Sequence, residues 1–97
     1  MDLAGLPALL EAIRHMHGCE ATWLESVHVT EMFEGNIVWD GEVQVFLIWG
    51  REDATRVYAW SSAAEGSRRR FVAVLGVGPI HDAVAAVRAS IVADNKK

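Results

Sequence analysis

The sequence predicts an α+β domain: a four-stranded antiparallel meander with an N-terminal and a C-terminal helix packed on one face, in the order α-β-β-β-β-α. Three observations carry this expectation. An apolar stripe at helical spacing opens the chain, an alternation at two runs from Ala21 into the Leu75 region, and helical spacing returns after Pro79. No linker, repeat or low-complexity tract interrupts the 97 residues, so residues 1–97 read as one domain, with 94–97 as a frayed polar tail.

The first helix rests on Leu3, Leu6, Leu9, Leu10, Ile13 and Met16, which recur at three and four. Asp2 is a candidate N-cap and Gly18 a C-terminal stop. Pro7 lies too far inside a helix starting at Asp2, so a start nearer Leu6 is expected, where a proline in the first turn loses no hydrogen bond.

Between Ala21 and Trp49 the period is two, and Glu34-Gly35-Asn36 divides the run into two long strands. A three-residue loop there sets Phe33 opposite Ile37 and gathers Trp23, Val27, Val29, Trp39, Val43, Val45 and Leu47 on one odd-numbered face. Gly41 beside Asp40 is the expected place for a bulge. Gly50–Ala54 forms a turn, Thr55–Ser61 a third strand, Ala63–Ser67 a second turn and Arg69–Leu75 a fourth strand. Gly76-Val77-Gly78-Pro79 breaks the pattern and has neither the lysine nor the spacing of a phosphate loop. The closing helix runs from about His81 to Ala93, with Ala83, Val84, Val87, Ile91 and Val92 along one side.

If parity is kept through the meander, Phe46, Arg56, Tyr58, Trp60 and Arg70 share the even face, away from both helices. So large an apolar face calls for a cover. A second copy of the chain is one, since Tyr, Trp and Arg are frequent interface anchors; a ligand groove with Arg56 or Arg70 holding an anionic group is another. The expected function is therefore a homodimeric binding or interaction module.

The alternative is a small enzyme. His28 falls opposite Glu42, with Asp40, Thr30 and Tyr58 on the same face, a couple suited to general acid–base work or to a plain cross-strand ion pair. No nucleophile or oxyanion donor is identifiable beside it. His15, His17 and Cys19 are ligand types for zinc, but two imidazoles two residues apart on a helix diverge, so no metal and no cofactor is expected.

Nine basic against thirteen acidic residues give a net charge of −4, which opposes nucleic acid as a partner despite Arg68-Arg69-Arg70. Hydrophobic residues make up 52% of the chain, yet no apolar run approaches the ~18 residues of a membrane span. The acidic start and the charges Glu11 and Arg14 argue against a signal peptide, and one cysteine suits a reducing compartment; a cytoplasmic protein is expected.

The runs GCEATWLESVHVTEMFEGNIVWDGEVQVF, RVYAWSS and AVRASIVA resemble a family of small uncharacterised bacterial proteins associated with mobile elements, the integron gene cassette proteins. The combination of VWDGEV with YAWSS is the most specific part. The resemblance implies a compact α+β fold and a stand-alone binding role, and brings no catalytic residues with it.

Overall fold

The computed structural model describes the backbone of residues 6–63 and 69–95. Its elements are α1 (Leu6–His17), β1 (Glu20–Phe33), β2 (Asn36–Trp49), β3 (Arg56–Ala63), β4 (Arg69–Leu75) and α2 (Ala83–Asn95). The strands form one antiparallel meander in the order β1-β2-β3-β4, as the alternating pattern requires. The proposed cap Asp2 and, of the turn expected over Ala63–Ser67, residues 64–67 lie outside the described residues, while Ala63 ends β3.

The start of α1 agrees with the reading of Pro7, and Gly18 ends the helix with φ 65° while its N–H donates to the Arg14 carbonyl at 2.9 Å. Leu9 and Ile13, one turn apart, are buried against the sheet. At the other end Asp82 caps α2: its carboxylate accepts from the Ala85 N–H at 2.8 Å and its carbonyl from the Ala86 N–H at 3.1 Å. Ala83, Ala86 and Val87 face inward, with Val84 and Ile91 beside them, whereas Val92 points to solvent.

The two helices lie on opposite faces of the sheet instead of sharing one. The α1 core takes Phe46, Ile48, Val57 and Ala59, with Ala21, Trp23, Phe71, Ala73 and Leu75 around them. The α2 core takes Val29, Val43, Val45, Tyr58 and Trp60, with Val27, Trp39, Val72 and Val74. Two register facts produce this three-layer arrangement. Val45 pairs with Tyr58 and Phe46 with Val57, so the β2–β3 connection sets odd against even and breaks the parity assumed above. On β1, Leu24 is an extra residue between the pairs Trp23↔Phe46 and Glu25↔Val45, so odd positions serve the α1 face before it and the α2 face after it.

The β1–β2 turn also differs from expectation. Phe33 pairs with Asn36 and Met32 with Ile37, leaving a two-residue turn with Glu34 at φ 52° and Gly35 at φ 80°. A bulge at Val38 then restores the expected register, and from Glu31↔Trp39 to Glu25↔Val45 every pair is the one the hydrophobic pattern selects. The bulges fall at Leu24 and Val38, not at Gly41. Gly41 pairs regularly with Val29 and lacks a side chain for another reason: a Cβ there would stand 3.3 Å from the Trp39 ring. The space lets Trp39 meet Trp60 edge-on, with centroids 5.5 Å apart.

Phe46, Tyr58 and Trp60 are therefore core residues, exposed by 0%, 3% and 4%, and not an open face. Phe46→Ala or Trp60→Ala is expected to cost about 3–5 kcal/mol, read as a shift in urea midpoint. Glu34 holds a left-handed conformation that asparagine tolerates better, so Glu34→Asn is expected to raise stability by up to about 1 kcal/mol by the same assay.

Candidate functional site

The sheet is uneven in length. β1 and β2 have 14 residues each, but β3 pairs with β2 only between Gln44↔Ala59 and Leu47↔Arg56. The rest of the β1–β2 hairpin projects as a two-stranded arm. On one side α2 covers it through Val29 and Val43. On the other side lie His28, Thr30, Asp40 and Glu42, all exposed.

Those four residues form one hydrogen-bonded cluster. His28 Nδ1 donates to Glu42 Oε1 and Nε2 to Asp40 Oδ1, each at 2.9 Å, while the Thr30 hydroxyl donates to the same Asp40 oxygen at 2.6 Å. The Glu42 hydrogen bond, helped by Asp40, raises the His28 pKa above its ordinary value. The Thr30 hydrogen bond, helped by His28, holds Asp40 below the usual carboxylate range. Both ring nitrogens thus carry protons toward carboxylates. An imidazolium so held has no lone pair with which to accept a further proton.

Toward the base of the arm, Gln44 is buried and its Oε1 accepts from Trp23 Nε1 at 2.9 Å and from the Ser26 hydroxyl at 2.5 Å. It separates the polar cluster from the α1 core. At the tip, Met32, Phe33, Ile37 and Val38 are exposed by 60%, 66%, 62% and 47%. Met32 faces Ile37 across the hairpin, while Phe33 faces Asn36 and Val38 is the bulge residue, so four large apolar side chains crowd the end of the arm. Leu24 and Trp49, at the base of the same hairpin, are exposed as well.

The site residues expected from sequence are dispersed. Phe46 belongs to the α1 core, Tyr58 and Trp60 to the α2 core. Arg70 is exposed on β4 opposite Ser62, and Trp60 stands across from Val72. Arg56 is exposed at a cleft between the sheet and the start of α2, lined also by Glu25, Val27, Val45, Tyr58, His81, Asp82, Ala83 and Val84. His28 and Glu42 do meet, as their register predicts. The apolar tip was hidden in sequence because Met32, Phe33, Ile37 and Val38 continue the alternation of the strands; only the length of the arm, which depends on where β3 ends its pairing, leaves them uncovered.

His17 Nε2 donates to the Ala73 carbonyl at 3.0 Å, His15 is exposed and Cys19 is buried, so these three side chains do not converge. Among the described residues no three His, Cys, Asp or Glu side chains are grouped as a metal site, and no helix is long and apolar enough to cross a membrane. No family model, curated protein or solved structure matches this chain. The likeness to integron cassette proteins rests on the sequence runs alone.

The His28 cluster has a definite pH signature. A histidine whose folded pKa is raised adds stability that is complete below its unfolded value of about 6.5 and is lost as pH climbs through the folded pKa. The stability advantage of the wild type over His28→Gln is therefore expected to be full below about pH 6.5 and to shrink as pH rises above it, and paired urea titrations at acidic and alkaline pH check it.

Proposed function

We propose that this protein is a non-enzymatic interaction module that pairs with a second copy of itself through the β1–β2 arm. The observation that carries this reading is the exposed apolar tip of Met32, Phe33, Ile37 and Val38. A tip of that composition is poorly suited to water and well suited to burial against another surface.

The occupant is argued from the hairpin itself. β1 is an edge strand 14 residues long, with a row of backbone groups free to pair along its outer side. Antiparallel pairing of two β1 strands about Val27 sets Ser26 opposite His28, Glu25 opposite Val29 and Trp23 opposite Glu31, so no like charges meet between Ala21 and Phe33. The same two-fold brings the tip of each arm toward the base of the other, where Leu24 and Trp49 are exposed. Patch and acceptor then sit on one surface, which is what a closed two-fold interface needs.

An acid–base enzyme centred on His28 and Glu42 has less behind it, because both ring nitrogens are committed to carboxylates on an open strand surface. Nucleic acid remains disfavoured by the net charge of −4 and by Asp40 and Glu42 on the arm. A self-contained pairing module also agrees with the mobile-cassette origin that the resemblance implies.

Light scattering across a dilution series is the test. The expected mass is twice the 10.7 kDa of one chain. The double variant Phe33→Thr, Ile37→Thr is expected to run as a monomer with an unchanged thermal transition of the monomeric fold, since both side chains are exposed. A wild type that stays monomeric at every concentration, or a variant that keeps the dimer, would overturn the reading.

A further inference from the structure

We propose that the cleft between the sheet and the first turn of α2 binds a free α-amino acid with a short apolar side chain, Arg56 taking its carboxylate and Glu25 its ammonium group. This does not rest on self-association.

The charges come first. Arg14 holds Glu20, Arg51 holds Asp53 and Arg88 holds Glu31, each through a direct ion pair. The Arg56 and Glu25 side chains line one cleft, yet among the described residues neither side chain makes a hydrogen bond or an ion pair. Glu25 pairs with Val45 and Val45 with Tyr58, so Glu25 and the strand carrying Arg56 are two strand spacings apart, about 10 Å. A small zwitterion in the cleft can accept a hydrogen bond from the Arg56 guanidinium with its carboxylate and donate one to the Glu25 carboxylate with its ammonium group. The backbone that carries Arg56 is held in place, since its carbonyl accepts from the Gly76 N–H at 2.9 Å.

Tyr58 supplies the second observation. Its side chain is more than nine-tenths buried and lines the cleft, and its hydroxyl has no partner among the described residues. No fully buried side-chain oxygen or nitrogen is left unsatisfied there, so that hydroxyl opens to solvent, and the cleft is the space its side chain lines. A ligand carboxylate or amine would give it the hydrogen bond it lacks. His81 and Asp82 at the rim lie 3.6 Å apart, and Asp82 is already engaged as the α2 cap.

Size and lining set the ligand class. The cavity has a volume of about 170 Å³, below the roughly 300–1,000 Å³ of sites for drug-sized molecules. Val27, Val45 and Val84 form its apolar wall, which suits a short aliphatic side chain and offers nothing to a long polar one.

The experiment is a titration of the ¹⁵N-labelled protein, followed by amide shifts of Val27, Val45 and Val84, with three probes: L-valine, isobutyrate and isobutylamine. L-Valine is expected to shift these amides in a saturable way, and each half-charged analogue to bind about tenfold or more weakly, having lost one charged hydrogen bond. Arg56→Met is expected to abolish the L-valine response, and Glu25→Gln to bring it down to that of isobutyrate; both side chains are exposed, so the fold should survive. The proposal fails if none of the probes moves these amides, if isobutyrate or isobutylamine matches L-valine on the wild type, or if Arg56→Met binds as the wild type does.

Discussion

One extra residue at Leu24 decides which face of the sheet each β1 side chain serves. Strand side chains alternate strictly, so a strand without that residue would send all its odd positions to one face. Ala21 and Trp23 pack with the α1 core, whereas Val27 and Val29 pack with the α2 core. A straight β1 could satisfy only one of these sets. The bulge satisfies both, and the odd-to-even pairing of β2 with β3 does the same for Phe46 and Val45. A chain of 97 residues thereby divides its apolar content between two thin cores, each closed by a single helix. Each helix is also tied to β1 by an ion pair, Arg14 to Glu20 and Arg88 to Glu31. Exposed pairs of this kind add little stability individually, so the packing of the two apolar stripes remains the main term.

The same division creates the arm. β3 stays beside β2 only where the two cores overlap, and past Gln44 the hairpin continues with α2 on one side and water on the other. The wet side is resolved in two different ways along its length. Near the core, polar groups satisfy one another: Trp23 and Ser26 donate to Gln44, and His28 bridges Asp40 and Glu42. At the tip no such satisfaction occurs, and apolar side chains stand in solvent. A hairpin needing only to be soluble would carry polar residues there.

Element order and most boundaries were legible in the sequence, because period and breakers depend on local spacing alone. The Pro7 and Gly18 signals place α1, and the pattern from Glu25 to Val45 selects the true register across seven pairs. Facing was not legible. It depends on parity carried through turns and bulges, and one residue inserted anywhere inverts everything after it. That inversion turned Tyr58, Trp60 and Phe46 from an imagined open surface into two buried cores. Gly41 shows the same limit: glycine in a strand signals that a side chain is unwelcome, but whether the cause is a bulge or the ring of Trp39 lies in the third dimension.

Of the candidate site residues, His28 and Glu42 were found because cross-strand opposition follows directly from register. Arg56 was found for a reason that did not hold, as one side of an aromatic face. Glu25 interrupts the odd-numbered apolar positions between Trp23 and Val27. Parity gives that interruption its meaning: Glu25 is the first residue after the bulge, and the bulge turns it from the α1 side to the α2 side, opposite Val45. Without the extra residue it would point toward the core that Trp23 occupies, where an unpaired carboxylate is costly. With it, the carboxylate comes to rest in the same cleft as Arg56 and Tyr58. The insertion that sorts the apolar residues into two cores is thus also what brings an acid and a base, far apart in sequence, to the same opening.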